Sequence, residues 1–301
     1  MRTKSGLLIA IALVASLALA GCAPKETVEP ATANFLAGKF VTTDAGTYLE
    51  GFTPGKPDTG FTLEAIAQLS EAPSIDLDAA KEWALATTDQ IEDDKGNLIL
   101  GLAAKWLYVS YLVDYDNKPK REQVAKALAD HWKPSYDPDV VFNTFDAAWA
   151  ALALQVSGNS SQASQAASSL AFSRRADNGW GTDLSETTTS SSADATAIAL
   201  MAFIATDKQE AAGVAKAWLQ ANLVTDHYEA WGDVDVNGTA YATMALQAAG
   251  EDVTKLKAWL KSKVVEDGGF ETPWSGGKGD TFATAQAYLP LIGLNYVELV
   301  K

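Results

Sequence analysis

Residues 238–248 read G-T-A-Y-A-T-M-A-L-Q-A, a threonine followed by alanines at helical spacing. Related stretches occur elsewhere in the chain, and the four copies begin at Thr144, Thr196, Thr239 and Thr281. The steps between successive copies are 52, 43 and 42 residues. Self-similarity at such a spacing is typical of stacked supersecondary units. The sequence therefore predicts a repeat architecture, which limits the chemistry that the chain can host.

Two kinds of helix alternate in this pattern. Alanine-rich helices that are apolar on nearly every face are expected near 59–69, 97–113, 144–156, 194–205, 239–249 and 281–292. Amphipathic helices are expected between them, near 76–91, 118–131, 160–175, 208–223 and 252–265. A further amphipathic helix comes from 31–38 or is absent. Because a helix that is apolar all round must be buried between neighbours, the alternation predicts an inner layer of helices inside an outer one.

The turns that lead from an outer helix to the next inner helix share glycine and an aromatic residue. They read Asp177-Asn178-Gly179-Trp180, Ala230-Trp231-Gly232 and Asp267-Gly268-Gly269-Phe270. Glycine allows the positive φ with which a chain leaves a helix sharply, and the aromatic ring can cover the junction between repeats. Periodicity alone does not distinguish a closed ring from an open superhelix, whereas these turns favour the ring.

Trp259-Leu260 followed by Asp267-Gly-Gly-Phe270 resembles the repeat motif of squalene cyclases and protein prenyltransferases. Exported bacterial proteins and the α-domain of the transcobalamin group are similar in the same repeats. The resemblance covers roughly residues 55–301, and it departs from the cyclase motif where Arg174 and Val264 stand in place of a glutamine. It implies an all-α fold, a closed α/α toroid of about six helical hairpins with inner and outer rings.

The first 21 residues have the features of a bacterial lipoprotein signal. Arg2 and Lys4 precede an apolar run from 7 to 19, which is too short to span a bilayer. The Leu-Ala-Gly-Cys22 motif matches the lipobox, in which the cysteine receives acyl chains such as palmitate. We therefore expect an exported protein, anchored by lipid to the extracytoplasmic face of the cell membrane. The expected domains are the signal at 1–21, the lipidated Cys22 and a flexible tether at 22–50, and the toroid at 51–301.

The acidic composition excludes one class of function. From Cys22 onward the chain carries 21 basic and 38 acidic residues, a net charge of −17. Because nucleic-acid binding depends on basic patches, no nucleic-acid partner is expected. Cys22 is the single cysteine of the chain. Packing, and not an intramolecular disulfide, must therefore stabilise the mature protein.

The resemblance provides a test for zinc catalysis. Prenyltransferases bind zinc through an aspartate, a cysteine and a histidine, whereas here Cys22 is assigned to the lipid and His131 and His227 lie in separate repeats. Catalytic zinc needs about three protein ligands and an open position. No metal and no cofactor is therefore expected. The resemblance to cobalamin carriers leaves one alternative, in which a neutral His227 ligates the cobalt of a corrinoid.

A second test concerns proton-donating catalysis. Class II cyclases protonate an alkene with the central aspartate of D-x-D-D-T-A, whose acidity depends on the neighbouring carboxylates. Aligned on the T-A pair, Asp194 takes the central position without either neighbour, Asp235 keeps only the first position and Asp280 only the third. The incomplete cluster favours a non-catalytic protein. Capping of the inner helices is the alternative role of Asp194, Asn237 and Asp280.

Asp233-Val-Asp235-Val-Asn237-Gly238 matches the opening of an EF-hand calcium loop. The position that should hold a bidentate glutamate is Met244, which cannot ligate calcium. A weak calcium ion with outside ligands and a simple capped turn are the two alternatives for this segment.

The inner helices of a toroid run in one direction, so the turns before them meet at one rim. The candidate ligand-binding residues at this rim and in the cavity below it are Trp180, Asp194, Trp231, Asp233, Asp235, Tyr241, Trp274, Asp280 and Phe282. Aromatic walls with a few polar groups are typical of small-ligand sites. The sequence thus predicts a binding protein for a small hydrophobic or corrinoid-like ligand or a cell-surface partner. The alternative is a divergent terpenoid-cyclase-like or carbohydrate-active enzyme.

Replacing the lipid-accepting cysteine tests the anchor. Cys22→Ser removes the thiol that acylation requires, so we expect the full chain expressed in bacterial cells to lose incorporation of an alkyne-tagged palmitate. Ser16→Ala lies in the same signal and keeps the thiol, so it should be labelled like the wild type. Equal labelling of Cys22→Ser and wild type would refute a lipid at this position.

Overall fold

The computed structural model describes residues 27–86, 91–132, 143–182 and 191–299, so that the signal and Cys22 lie outside these ranges. The described chain forms twelve helices and two short antiparallel hairpins. The hairpins pair β1 (Val41–Thr43) with β2 (Gly46–Tyr48), and β3 (Tyr228–Ala230) with β4 (Asp233–Asp235). The helices are α1 (Val28–Ala37), α2 (Thr59–Leu69), α3 (Asp78–Ala86), α4 (Leu100–Leu112), α5 (Lys118–His131), α6 (Thr144–Val156), α7 (Ser160–Phe172), α8 (Ala193–Ala205), α9 (Gln209–Ala221), α10 (Val236–Ala248), α11 (Thr254–Ser262) and α12 (Thr281–Ile292).

The even-numbered helices form a closed inner ring. From α2 to α12 each of them packs on the next, and α12 packs back on α2. Their side chains are buried on almost all faces; in α8, every residue from Ala195 to Phe203 is buried. An open superhelix would leave α2 and α12 apart. The all-α toroid predicted from the repeats and turns is therefore confirmed.

The odd-numbered helices lie outside this ring. α3, α5, α7 and α11 each pack on two neighbouring inner helices, and α9 packs on α8. In α11, Leu256 and Leu260 are one turn apart and buried, whereas Lys255 and Lys261 are exposed. One apolar stripe per helix is what an outer layer needs. Among the described residues, no helix combines the length and the apolar character needed to cross a membrane.

α1 occupies the sixth outer position, whose existence the sequence did not decide. Its buried side chains Ala33 and Leu36 pack in one apolar cluster with residues of α2 and α12. The β1–β2 hairpin follows and leads into α2. This corrects the flexible tether expected at 22–50, because from Val28 onward an apolar stripe docks the chain on the ring. The folded domain thus begins at α1 and not at residue 51.

A buried threonine joins each of four inner helices to the turn before it, a contact that we call the threonine clamp. The hydroxyl accepts a hydrogen bond of 2.9–3.0 Å from a backbone N–H of the turn, and all four side chains are fully buried. In three of the clamps the hydroxyl also donates to the carbonyl oxygen of the N-cap residue. A buried N–H without a partner is costly, so the clamp fixes the position of the turn. The donors and acceptors are Leu49 and Thr62, Trp180 and Thr196, Tyr228 and Thr239, and Phe270 and Thr284.

The clamp corrects the register of two of the four sequence copies. In the last copy the clamp residue is Thr284, whereas Thr281 is the first residue of α12. In the copy on α6, Thr144 is likewise the first helical residue, and its hydroxyl donates to the carbonyl oxygen of Gly181 in the turn of a later repeat. The sequence copies look alike because each threonine lies in the first turn of an inner helix and is followed by alanines. Only the hydrogen bonds distinguish the two positions.

Thr239→Val keeps the shape of the side chain but removes the clamp hydroxyl. We expect it to lower the free energy of unfolding by about 1–3 kcal/mol, because the N–H of Tyr228 and the carbonyl of Asp235 lose a buried partner. Thr243→Val is the matched control, since Thr243 is buried on the same helix and its hydroxyl donates only to the Thr239 carbonyl. Chemical denaturation of both variants measures the difference. Equal losses would show that the clamp adds nothing beyond a buried hydroxyl.

Candidate functional site

The inner helices begin at one end of the toroid, which we call the rim, and the described parts of the outer-to-inner turns lie there. The other end is the opposite face. Within the described ranges, every exposed large hydrophobic side chain belongs to these turns or to the adjoining helix ends. Exposed apolar side chains gathered on one surface are typical of interaction sites. The rim is therefore the candidate functional surface. Its exposed hydrophobic residues are Phe52, Ile99, Phe172, Val224, Trp231, Trp274 and Phe282.

Two of the predicted tryptophans lie at the surface of the rim. Trp231 is 96% exposed between β3 and β4, and Trp274 is 78% exposed in the loop before α12. Asp233, which is also exposed, begins β4. Trp231 has a φ of 54°, which is uncommon for a bulky residue, so the hairpin turn holds its ring outward at a cost in backbone energy. All three side chains are accessible to a ligand.

Trp180 and Phe270 do not reach the surface of the rim. The indole Nε1 of Trp180 donates to the carbonyl oxygen of Leu170 at 2.6 Å, and its ring meets Phe203 edge-on with centroids 5.3 Å apart. Phe270 is fully buried. These rings close the junctions between repeats. Burial therefore removes Trp180 from the set of residues that can touch a ligand.

Side chains fill the axis of the toroid near the opposite face. Tyr296, which follows α12, lies 6.1, 4.8 and 6.2 Å from the ring centroids of Tyr108, Trp149 and Tyr241. Gln68 Nε2 donates to the Tyr296 hydroxyl at 2.7 Å. Because these four partners lie on α4, α6, α10 and α2, Tyr296 sits on the axis of the inner ring. The cavity expected from the sequence is thus occupied by the chain itself at this depth.

A buried polar layer crosses the axis between Tyr296 and the rim. Glu64 on α2 accepts a hydrogen bond from the Tyr241 hydroxyl on α10, and its Oε2 lies 2.6 Å from Lys105 Nζ on α4. The Lys105 ammonium also lies 5.5 Å from the ring centroid of Trp149. Burial and the Glu64 charge raise the pKa of Tyr241 well above its usual value, so its hydroxyl stays a donor. Tyr241, a predicted site residue, therefore belongs to the floor of the accessible space.

Polar side chains in the first turns of inner helices lie nearer to the rim than this floor, and we call this group the mouth. Asp146, Asp194 and Asn237 are partly exposed in the first turns of α6, α8 and α10. Burial raises the pKa of Asp146, against an opposing effect of its hydrogen bonds and of Lys105. Burial also raises the pKa of Asp235 to about 6, and the charge of Asp194 adds to the rise. The mouth thus contains a carboxyl group that exchanges a proton near neutral pH.

The hypothesis that three polar residues cap inner helices holds for one of them. Asp280 Oδ1 accepts from a backbone N–H of α12 at 2.8 Å, as expected of an N-cap. α10 is capped by Asp235 and not by Asn237, whose amide donates to Gln286 at 2.6 Å. Asp194 is the second residue of α8 and lies two positions after the N-cap residue, Ser192. Asp235 and Asp280 are thus rigidly held at the starts of their helices.

The calcium hypothesis meets no ligand set among the described residues, whereas cobalt ligation by His227 stays a prediction. No three or more histidine, cysteine, aspartate or glutamate side chains converge within the described ranges. Asp233 lies in a strand and Asp235 in a helix cap, so they do not begin an EF-hand loop. The His227 ring stacks on Trp259 with centroids 4.9 Å apart, and its Nδ1 lies 3.0 Å from a carboxylate oxygen of Asp226. These contacts hold the imidazole against neighbouring side chains.

Comparison with known proteins bears on the fold. No protein-family model matches the chain, and no curated protein matches it. The apo structure of the type II terpene cyclase MstE from Scytonema matches with a TM-score of 0.62 and 16% identity, over 88% of this chain and 96% of that one. The fold is shared. An unsaturated glucuronyl hydrolase variant with dGlcA-Glc-Rha-Glc matches with a TM-score of 0.59 and 13% identity, over 88% and 94%. Both are α/α toroids, and at such identities the likeness shows the fold alone.

Several residues of the site were missed from the sequence. Glu64 and Lys105 stand as isolated charges within apolar helices, and such a charge in an inner helix signals a buried pair. Asp146 lies one position after the sequence copy's Phe145 and had no motif of its own. Tyr296 gave no signal, because its position on the axis depends on how the chain turns back after α12. The spacing of residues along the sequence does not show which side chains meet across the ring.

The raised pKa of Asp235 makes stability depend on pH. In the folded protein the carboxyl group of Asp235 keeps its proton up to about pH 6. The pKa of an aspartate in an unfolded chain is about 3.9. The stabilisation by protonation is therefore fully present below the unfolded pKa and lost as the pH rises to about 6. Asp235→Asn keeps a capping side chain and should remove this loss, which is on the order of 2 kcal/mol.

Chemical denaturation of wild type and variant at pH values from about 4 to 7 measures the effect, because this range covers the interval between the unfolded and the folded pKa of Asp235. Asp235→Asn should be the more stable protein at the upper end of the range. Asp233→Asn removes an exposed charge from the same strand and controls for net charge. Parallel curves for wild type and Asp235→Asn would contradict a raised pKa at this residue.

Proposed function

We propose that this protein is a membrane-anchored, extracytoplasmic lipoprotein that binds a ligand at the rim of its toroid without transforming it. The ligand presents a broad apolar face, as a corrinoid-like small molecule or a cell-surface partner does. The observation that carries the proposal is the gathering of exposed hydrophobic side chains at the rim, including Trp231 and Trp274. Exposed tryptophans are the residue type that most often dominates binding energy.

The filled axis supports binding at the surface in preference to binding in the interior. Tyr296 and the Glu64–Lys105 pair occupy the axis below the mouth, where an apolar ligand of isoprenoid length would need a channel. A broad ligand that lies across the rim needs no such channel. The lipid at Cys22 would keep this surface on the extracytoplasmic side of the membrane. Scaffolds of this kind carry their function in the connecting segments at one end.

A carbohydrate-active enzyme is the second candidate, and one observation favours it. The pKa of Asp235 is raised to about 6, with the charge of Asp194 contributing. A carboxyl group that is protonated near neutral pH is what general-acid catalysis requires. The cyclase-like version of this candidate also needs a deep apolar cavity, which the side chains on the axis oppose. We therefore place the sugar-cleaving version second.

Loss of the exposed tryptophans tests the binding function. The full chain in detergent is screened by thermal unfolding against corrinoids, isoprenoids and oligosaccharides, and the affinity of the ligand that stabilises it is measured by calorimetry. We expect Trp231→Ala and Trp274→Ala each to weaken this affinity about tenfold. Asp116→Ala, at an exposed position of the opposite face, should leave it unchanged. A ligand whose affinity is equal in all four proteins would refute binding at the rim.

The same proteins separate the two candidates. Mass spectrometry of oligosaccharides incubated with wild type detects any cleavage product. Turnover that Asp235→Asn abolishes, while the variant still binds the saccharide, would replace the binding function with the enzymatic one. Binding without product supports the non-catalytic function.

A further inference from the structure

A pocket of about 400 Å³ opens at the rim beside the mouth. It lies between the starts of α2 and α12 and is covered on one side by the segment around β1 and β2. Two of the predicted site residues, Asp280 and Phe282, line it. Pockets of this size accept a single small molecule. The side chains that line the pocket determine which class of molecule it can bind.

Three phenylalanine rings form one wall of the pocket. Phe282 lies 5.5 Å from Phe52 and 5.5 Å from Phe61, measured between ring centroids. Phe52 is 88% exposed and Phe61 is buried, so the row of rings runs from the surface into the protein. A ring as exposed as that of Phe52 contributes little hydrophobic free energy to folding. When a ligand covers it, the same ring contributes much to the free energy of binding.

The polar residues of the pocket are mostly acidic. Glu50, Asp58 and Asp280 line it together with a single basic residue, Lys39. The Lys39 ammonium lies 4.3 Å from the ring centroid of Phe35, which is outside the pocket, so its charge is directed to that ring. The carboxylates thus outnumber the positive charge at the pocket. A ligand with a positive charge would complement them.

The helix caps hold two of these carboxylates in place. Asp58 Oδ1 accepts the Phe61 N–H at 2.8 Å, and Asp280 Oδ1 accepts the Ala283 N–H at 2.8 Å. The second oxygen of each carboxylate is not part of the cap. Gly51 permits the close approach of Asp58, because a Cβ at Gly51 would lie 2.8 Å from Asp58 Oδ2. The charges of the pocket are therefore fixed before a ligand arrives, which lowers the entropy cost of binding.

We infer that this pocket binds a compact organic cation of the quaternary ammonium type. Such a cation has an apolar surface that suits the phenylalanine rings and a positive charge that suits the carboxylates. The inference rests on the proposed function in one respect, that the rim is the ligand-binding surface. It adds a second site there, beside the mouth and with its own ligand chemistry.

Choline and its uncharged carbon analogue, in which carbon replaces the nitrogen, are the matched probes. They share size and shape, so a difference in affinity measures the charge alone. We expect calorimetry on the full chain in detergent to show choline binding about tenfold more tightly than the analogue, and to show choline affinity falling as salt is added. Equal affinities, or no binding of choline, would overturn the inference.

Two variants locate the binding. Asp280→Asn retains a capping side chain while removing the charge, and Phe282→Ala removes the central ring; each should weaken choline binding about fivefold. Asp116→Asn makes the same charge change on the opposite face and should leave the affinity unchanged. Choline binding that neither pocket variant weakens would also overturn the inference.

Failure here is distinguishable from failure of the proposed function. If choline does not bind, a ligand whose affinity depends on Trp231 and Trp274 still supports the proposed function. Conversely, a rim whose tryptophan variants bind every ligand like wild type could still bind choline through Phe282 and Asp280.

Discussion

The threonine clamp is the contact on which the closed ring depends. At four of the inner helices, the preceding turn brings a buried backbone N–H against the helix, where no water can satisfy it. Thr62, Thr196, Thr239 and Thr284 supply the acceptor from the first turn of their helices. The hydroxyl is in most cases shared with the N-cap carbonyl, so turn, cap and helix are fixed together. The clamp occurs on α2, α8, α10 and α12, and it therefore includes both helices of the closing contact.

The two ends of the closed ring differ in packing and in exposure. At the opposite face the chain turns back after α12 and places Tyr296 on the axis, where tyrosine and tryptophan rings from several inner helices surround it. At the rim the turns are longer, and they carry the exposed aromatic side chains and both hairpins. The packed end stabilises the fold because it buries large aromatic rings. The rim is thereby free to vary and to bind.

The charges of the rim follow from the same construction. Every inner helix starts there, and helix starts favour acidic side chains because the free N–H groups and the helix dipole attract them. Asp235 and Asp280 therefore serve first as caps. Asp235 has a second property: burial, to which the charge of Asp194 adds, raises its pKa to about 6. A structural requirement of the fold thus gives the rim its acidic side chains.

The sequence by itself determined the helices, their alternation and the ring, because apolar periodicity and glycine-aromatic turns are local properties. Trp231, Trp274 and Phe282 are exposed in the structure, whereas their role in ligand binding stays a prediction. The sequence did not separate the buried Trp180 from these, nor Thr284 from Thr281, since a local pattern does not say which neighbour a side chain meets. Only the tertiary structure decided the Glu64–Lys105–Tyr241 layer, the position of Tyr296 and the phenylalanine pocket. Each of these joins residues far apart in the chain, and their meeting depends on the closure of the whole ring.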